Sequence, residues 1–563
     1  MINLSPTILA HLPSSAINAA QQLTSQSVCR VCVPRILGVR KMGLFEQLSS
    51  SSTISDEDCV ACLGLLSNKT LTKTVTESAS IFFRDEWRGA SSFGVSVRVP
   101  VQLALRAHVL GLDFENGCFK VALQNGGKKS KTLKDPKKAL HVRPDAAATL
   151  QRNPVLIDSL DNQEFRIMPN QIEVKDVLKH LLVTRLQSAL PNNLKFDSSS
   201  DLLLEIGYDH PPSDSEYEFM VSIEKCGLQV RKSRKLVRYG SVVREMGDDE
   251  EGNTHIEGAR WDHLIKAASQ LSKFELVEAG YLPLKKTSSP CVLREFRFLH
   301  ASLWIAGRYN KYQRTISNSR MEYNGTRLAP ESVEELIAVH IDKFFRSDTH
   351  RFSSSGREDV DVLMLGTGRP FYIEIVNPRV LDASRGEVKA LQDFVNDACV
   401  GKVQVSDLQL VGKRDTRHLK DSASTKKKSY STLVRLSSPV SQTQLDEISN
   451  LKNLELKQQT PVRVQNSRSD LTRDKVIHEM KASFVECDSD GDPNVSIVET
   501  ERRNLVRLDL VTSAGTYVKE FVHGDGGRTV PSLKELLSVD AASVVSLDVL
   551  HVYLDWPPPL GAE

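Results

Sequence analysis

Two cysteine pairs near the N-terminus constrain the fold of this chain more than any other short pattern in it. Cys29 and Cys32 form one Cys-x2-Cys pair, Cys59 and Cys62 form the second, and 26 residues separate the two pairs. Four thiolates presented by two tight turns match the ligands of a closed tetrahedral zinc site, which leaves no open position for catalysis. The pattern therefore predicts a structural zinc ion in an N-terminal arm and zinc-binding segment, residues 1–64.

Two other interpretations of these cysteines are open. They could be core thiols that fall into pairs by chance, or one pair could be a redox dithiol. Both are less favoured, because two matched pairs lie within 34 residues and neither sits between a strand and a helix as a redox pair would. The remaining cysteines are scattered and are interpreted as core thiols: Cys118, Cys226, Cys291, Cys399 and Cys487.

Composition and charge narrow the class of protein. The 563 residues include 40% hydrophobic and 26% charged residues, typical of a folded protein of three or four domains. No run of 18 apolar residues suggests a membrane span, and the first 29 residues lack the lysines and arginines of a signal or transit peptide. We therefore expect no membrane partner, a reduced compartment (nucleus and/or cytoplasm) and no secretion. The absence of heptads favours a monomer.

Periodicity predicts two halves that meet near residue 285. Helices are predicted over 169–191 and 331–345. The strand-like runs at 360–365 and 371–376, separated by GTGRP, predict a β-hairpin. Strands and helices mix without a βαβ rhythm, so the fold class is α+β, with a mixed α/β N-terminal half and an antiparallel sheet in the C-terminal half. Further strands are predicted at 202–208, 217–223, 403–411, 430–436, 505–512 and 545–554. The resulting domains are 1–64, 65–285 and 286–563.

Basic residues are concentrated in three runs, although the net charge is only +2. The runs are Lys128–Lys138, Arg231–Arg244 and Lys413–Lys428. Any one of them could be an ordinary solvated loop. Three such runs in a nearly neutral chain indicate segregated positive charge, which binding to a nucleic-acid backbone requires.

The stretch from Ser353 to Pro378 carries the candidate chemistry. Gly356, Arg357, Glu358 and Asp359 open a predicted strand, which would place Asp359 at its first residue, on the rim of a sheet. Arg357 could hold a phosphate or the carboxylate. Spacing alone indicates little, because an Asp at a strand start is most often a turn or cap residue.

The amino-acid sequence of this stretch, GREDVDV followed by LGTGRPF, resembles the active-site motif of the pseudouridine synthases. It resembles in particular the archaeal and eukaryotic tRNA pseudouridine synthases that carry an N-terminal THUMP-like zinc domain. The resemblance extends over roughly residues 300–560 and includes AGRYNKYQR (306–314), SVEELI (332–337), LQLV (408–411), KSYSTLV (428–434), TPVRV (460–464), AGTYVKEFVHGDGGRTVPSL (514–533) and LDWPP (554–558).

The resemblance implies a role for each site residue. Asp359 falls on the catalytic Asp, and Tyr430 falls on the tyrosine that lies against the target base. Tyr517 and Lys519 fall on the motif that lines the pocket and pairs a cation with the Asp, and Arg357 is a further candidate for substrate binding. The implied reaction is isomerisation of uridine to pseudouridine in the TΨC arm of tRNA, at position 54 and/or 55.

These residue types suit that chemistry, which needs a carboxylate at the base or the sugar and no organic cofactor. The resemblance implies that residues 65–285 form a THUMP-like RNA-binding accessory domain, and the run 231–244 is the first candidate for its RNA contact. The alternative function is a non-catalytic protein that binds structured RNA or acts as an adaptor. The joint presence of Asp359, Tyr430 and Lys519 argues against that alternative.

Overall fold

The computed structural model forms two compact units, Met1–Glu86 with Ser91–Leu299 and Trp87–Ala90 with His300–Glu563. The boundary between them falls after residue 299 rather than after the predicted 285, because a strand at Val292–His300 joins the sheet of the first unit. The structure describes residues 6–12, 16–50, 57–100, 102–115, 171–213, 216, 276–277, 281–286, 289–422, 426–465, 468–485 and 504–559.

The first unit combines helices with a small, partly parallel sheet, as the mixed α/β prediction required. Its strands are β1 (Ser92–Arg98), β2 (Lys195–Phe196), β3 (Leu202–Asp209) and β4 (Val292–His300), in the order β2-β1-β3-β4, and β1 runs parallel to both neighbours. The helices that the structure describes are Pro6–Leu9, Ile17–Ser25, Cys32–Ile36, Met42–Ser50, Asn68–Asp85, Gln102–Glu115 and Val174–Ala189.

Two of the predicted elements of this unit are confirmed. The helix predicted over 169–191 is present as Val174–Ala189, with Leu178, Leu182 and Leu186 buried on one face. The strand predicted over 202–208 is β3. The strand predicted over 217–223 lies outside the described residues.

The second unit is built on one long, mainly antiparallel sheet, which confirms the fold class predicted for this half. The strands are β5 (Leu303–Lys311), β10 (Thr349–Ser354), β11 (Leu363–Val376), β12 (Val403–Val411), β13 (Lys428–Leu436), β14 (Lys452–Gln459), β15 (Thr472–Phe484), β16 (Leu505–Thr512), β17 (Thr529–Val530) and β18 (Ala542–Val552). Their order in the sheet is β12-β5-β11-β18-β13-β16-β15-β14-β17, and β10 pairs with β11. Only β11 and β18 run parallel among the pairs described in this sheet.

Short elements complete the second unit. Outside the long sheet lie β6 (Ile316–Ser317), β7 (Glu322–Tyr323), β8 (Thr326–Arg327) and β9 (Glu331–Ser332). Helices cover the sheet at Val333–Phe345, Arg385–Ala398, Thr416–Ser422, Gln442–Ser449, Val518–His523 and Leu533–Leu536.

The first of these helices shows why the sequence folds as predicted. Ser332 caps its N-terminus by accepting a hydrogen bond from the Glu335 backbone N–H at 3.2 Å. Ile337, Ile341 and Phe345 then recur at helical spacing and are fully buried against the sheet. The predicted helix over 331–345 is therefore confirmed as Val333–Phe345.

The hairpin predicted around GTGRP is wrong. Residues Leu363–Val376 form the single strand β11, and its register with β5 shifts between Met364 and Arg369. Gly366 has φ +57°, and a Cβ there would lie 2.1 Å from the Leu550 carbonyl oxygen, so only glycine fits. The glycines therefore allow a bulge within one continuous strand and do not reverse the direction of the chain.

The scattered cysteines are interpreted correctly where they are described. Cys291 and Cys399 are buried and free. Cys118, Cys226 and Cys487 lie outside the described residues. Within the described ranges, no helix combines the length and the apolar character needed to cross a membrane.

One packed histidine links β10 to the helix Val333–Phe345. His350 Nδ1 lies 2.6 Å from Asp342 Oδ2, and His350 Nε2 lies 3.6 Å from Glu334 Oε1. The hydrogen bond to Asp342 and the contact with Glu334 raise the pKa of His350 from 6.5 to about 9.

This contact makes the stability of the second unit depend on pH. Because the folded-state pKa is raised, the stabilisation is fully present below pH 6.5 and is lost as the pH rises through about 9. We expect the free energy of unfolding of the wild type to fall across this interval relative to that of His350→Gln, measured by urea unfolding at several pH values. Parallel pH profiles for the two proteins would contradict the prediction.

Candidate active site

The predicted catalytic aspartate lies in the loop 355–362, which connects β10 to β11. Asp359 is therefore not the first residue of a strand, as its sequence suggested, because β11 begins only at Leu363. Its carbonyl oxygen accepts from the Val362 backbone N–H at 3.1 Å, which closes a turn. The loop displays the Asp359 side chain to solvent with 44% of it exposed.

The neighbouring Glu358 anchors this loop from below. Its carboxylate lies 2.7 Å from Arg369 Nε, and the two side chains are 0% and 1% exposed. The Tyr309 hydroxyl also contacts both Glu358 oxygens at 3.0 Å. A buried ion pair persists only with such additional partners, because both charges have left water. Glu358 is thus fixed inward, and the next side chain, Asp359, faces outward.

Two lysines support the same loop from the interior. Lys311 Nζ donates to the carbonyl oxygens of Asp359 at 3.1 Å and Val360 at 3.0 Å. Lys428 lies on the other side, where a Cβ added at Gly356 would be 2.9 Å from its Nζ. Burial, with the nearby Arg369 charge, lowers the pKa of Lys428 to about 7. Gly356, at φ +78°, leaves the space that this lysine occupies.

Two cations converge on the exposed carboxylate. Lys519 Nζ lies 3.4 Å from Asp359 Oδ2, and Arg463 Nη1 donates to the same oxygen at 3.1 Å. The structure thus brings Lys519 to Asp359, as the resemblance implied, across 160 residues of sequence. Arg463 was not predicted. Its position within the TPVRV motif was the only signal in the sequence that could have drawn attention to it.

Lys519 is shared between two carboxylates. Its shorter contacts are to Asp361, at 2.7 and 2.9 Å. Burial raises the pKa of Asp361, but the hydrogen bond and charge of Lys519 outweigh burial and hold that pKa below its ordinary value. Asp361 is another residue that the sequence analysis missed, because an acid two positions after Asp359 has no distinctive spacing.

The predicted tyrosines occupy two different environments. Tyr517 precedes the helix Val518–His523, and its hydroxyl accepts from Arg468 Nη1 at 3.0 Å. Tyr430 lies on β13 and packs against the core of the unit, where burial raises the pKa of its hydroxyl. Glu358 and Arg369 are close enough to act electrostatically on Tyr430, so this tyrosine lies beside the anchor of the loop.

Arg357 is exposed and lines a small cavity next to Asp359. The cavity has a volume of about 210 Å³. No hydrogen bond joins Arg357 to Asp359 among the described residues, so its contact with the carboxylate is not seen here. The cavity is lined by Asn318, Ser319, Met321, Arg357, Glu358, Asp359 and Val360.

In the first unit, the two cysteine pairs converge as predicted. The four sulfur atoms all lie within 4.8 Å of one another and are buried, with Cys29 Sγ and Cys62 Sγ 3.9 Å apart. Zn–S bonds of about 2.3 Å in a tetrahedron need a comparable separation. The Cys29 backbone N–H donates to Cys59 Sγ at 3.2 Å, and Arg35 Nη2 lies 3.7 Å from Cys32 Sγ. The cluster can therefore hold a metal ion.

Of the three predicted basic runs, only Lys413–Lys428 overlaps the described residues. The runs 128–138 and 231–244 lie outside the described residues. In the third run, Lys413 lies over the Trp304 ring at 5.7 Å, whereas Lys428 is buried beneath the predicted catalytic loop. Lys428 is therefore not part of an exposed basic patch, because its side chain fills the interior next to Gly356.

Comparisons with known proteins identify the family of this chain. Residues 304–553 match the family model described as "Pus10, C-terminal". The chain is 37% identical over 297 residues to "tRNA pseudouridine synthase Pus10" of Homo sapiens, covering 53% of each chain. It is 32% identical over 389 residues to the Xenopus laevis protein of that name, covering 69% of this chain and 67% of the relative. The Thermofilum pendens protein of that name is 35% identical over 254 residues, covering 45% of this chain and 53% of the relative.

These sequence matches place the chain among the proteins named pseudouridine synthases, the class that its motifs predicted. Within that class, the chain belongs to the Pus10 family. The match to the human and archaeal relatives spans about half of their length.

The anchor beneath the loop can be tested through stability. Replacement of Arg369 by Met leaves the Glu358 carboxylate buried without its cation, and removal of one partner of a buried pair costs about 3–5 kcal/mol. We expect the Arg369→Met variant to lose about that free energy of unfolding in urea, whereas adding Glu358→Gln should recover part of it. A loss below about 1 kcal/mol, as surface pairs give, would contradict the assigned role.

Proposed function

We propose that the protein isomerises uridine to pseudouridine in the TΨC arm of tRNA, at position 55 and/or position 54. The observation that carries the proposal is the Asp359 carboxylate, exposed beside a cavity and held by Lys519 and Arg463 in a member of the Pus10 family. Asp359 supplies the carboxylate, either at the base or at the sugar.

The reaction is an isomerisation, so its atoms balance without a co-reactant. The bond between C1′ and N1 breaks, a bond between C1′ and C5 forms, C5 loses a proton and N1 gains one. The target nucleotide must leave its stack to reach Asp359. Tyr430 and Tyr517 are the aromatic candidates to contact the base, and Arg357 is the candidate for a phosphate.

The remaining expectations are part of the same proposal. The C-terminal half, predicted as 286–563 and beginning at His300 in the structure, supplies catalysis. Residues 65–285 supply a THUMP-like RNA-binding surface, and the run 231–244 is the first candidate for phosphate contact. The protein acts as a monomer in the nucleus and/or cytoplasm. The motifs and the family relationship support the catalytic assignment, whereas the RNA contact, the monomeric state and the compartment remain predictions from the sequence.

The activity test uses transcribed tRNA, a carbodiimide that tags pseudouridine, and mass spectrometry to assign the modified position. We expect product in the TΨC arm with the wild type and a rate at least about 10³-fold lower with Asp359→Asn, because the carboxylate is lost while the shape is kept. RNA affinity should change little.

Asp393→Asn is the matched control, because it makes the same chemical change in an exposed Lys389–Asp393 pair on a helix. Transcripts with cytidine at position 54 or 55 separate the two targets. A wild-type protein that binds the tRNA but forms no pseudouridine would favour the non-catalytic RNA-binding function.

The metal at the cysteine cluster is proposed to be a structural zinc ion held by Cys29, Cys32, Cys59 and Cys62. We expect one zinc per purified chain by elemental analysis. Cys59→Ser should weaken zinc binding by more than the roughly 10- to 100-fold that loss of an outer hydrogen-bond partner costs. It should also lower the thermal midpoint, because metal binding stabilises the fold.

Cys291→Ser is the control for this experiment, because Cys291 is a buried thiol of the same unit that lies outside the cluster. Equal zinc content in Cys59→Ser and the wild type would refute the assignment of this ligand.

A further inference from the structure

The catalytic carboxylate has a nearer cation than the lysine that the family resemblance assigned to it. Arg463 Nη1 lies 3.1 Å from Asp359 Oδ2, whereas Lys519 Nζ lies 3.4 Å from that oxygen. Lys519 makes its closest contact, 2.7 Å, with Asp361. The charge of Lys519 is therefore divided between two carboxylates, and Arg463 is the better placed partner of Asp359.

Arg463 is itself held in place by a buried acid. Its Nε donates to Glu520 Oε1 at 2.7 Å, and the Glu520 side chain is only 3% exposed. The other Glu520 oxygen is buried without a hydrogen-bond partner among the described residues. Glu520 therefore depends on Arg463 for compensation of its charge, and it holds the guanidinium through a different nitrogen from the one that contacts Asp359.

The backbone around both residues is tied together. Gln458, in β14, donates from Nε2 to the Tyr517 carbonyl oxygen at 3.0 Å and accepts from the Tyr517 backbone N–H at 2.9 Å. The Val462 backbone N–H lies 3.3 Å from Asp525 Oδ2. These bonds join the segment that carries Arg463 to the segment that carries Lys519 and Glu520, so both cations are presented to Asp359 from one connected scaffold.

We infer that Arg463 is a positioning residue for the proposed isomerisation: braced by Glu520, it fixes the orientation of the Asp359 carboxylate. The inference rests on the proposed function and deepens it. A guanidinium braced at one nitrogen directs another N–H at a fixed point, which a flexible ammonium shared with Asp361 cannot do. The orientation of a reacting group matters, because a misplacement of about 1 Å can cost about 10²-fold in rate.

The simplest variant, Arg463→Met, leaves Glu520 buried and uncompensated and could fail to fold. The double variant Arg463→Met/Glu520→Gln removes both charges and separates stability from positioning. Arg463→Lys keeps the positive charge but cannot contact Glu520 and Asp359 with the same fixed geometry. Arg351→Met/Glu374→Gln is the matched control, because it removes another Arg–Glu pair, 3.3 Å apart, within the second unit.

The experiment measures the single-turnover rate at saturating tRNA and, separately, the Kd for tRNA at several salt concentrations. The double variant Arg463→Met/Glu520→Gln should lower the rate by about 10²-fold, with a Kd within about threefold of the wild type. Arg463→Lys should recover part of the rate. The Arg351→Met/Glu374→Gln control should retain it, and a thermal melt of each protein shows that it is folded.

Three results overturn the inference. The rate of the folded double variant could equal that of the wild type. The double variant could instead bind tRNA more weakly, with the slope of log affinity against log salt concentration reduced by about one. That result would identify Arg463 as a phosphate contact. If the wild type forms no pseudouridine, the proposed function fails first and the positioning role fails with it. An active wild type with an unaffected double variant refutes only the role of Arg463.

Discussion

The buried pair of Glu358 and Arg369 is the interaction on which the rest of the candidate active site depends. Two opposite charges, 2.7 Å apart and almost wholly removed from water, fix the loop between β10 and β11 against the sheet. Tyr309 adds hydrogen bonds to the same carboxylate, which offsets part of its desolvation. With Glu358 fixed inward, the next side chain, Asp359, is held at the surface. The position of the exposed acid thus follows from the burial of its neighbour.

The bulge in β11 prepares this anchor. Gly366 lets the strand pass within contact distance of the Leu550 carbonyl, and Arg308 Nε donates to the Thr367 carbonyl oxygen at 2.6 Å. The register then resumes at Arg369, whose side chain enters the core toward Glu358. The bulge in β11 therefore positions Arg369, the cation that holds the loop through Glu358. Bulges near functional sites commonly direct a side chain in this way.

Around Asp359, acids and bases alternate in space. Lys519 lies between Asp359 and Asp361, and Arg463 lies between Asp359 and Glu520. Each cation contacts two carboxylates, so its positive charge is shared between Asp359 and a second acid. Such an arrangement orients the Asp359 carboxylate while its exposed side stays open to a substrate. The cysteine cluster of the first unit has a different design, in which four buried sulfur atoms converge and no side of the site is left open.

The sequence alone determined the elements whose signals are local. The cysteine pairs, the helix Val333–Phe345 and the order of motifs along the second unit were readable, because spacing and periodicity act between near neighbours. Tertiary structure decided what depends on distant contacts. GTGRP forms a bulge instead of a hairpin because β5 and β18 lie next to it. Lys428 lies in the interior beside Gly356 and not on the surface with the rest of its basic run. Arg463 reached Asp359 from 104 residues away, and the pairing of charges over such separations is set by the packing of strands, which no local pattern encodes.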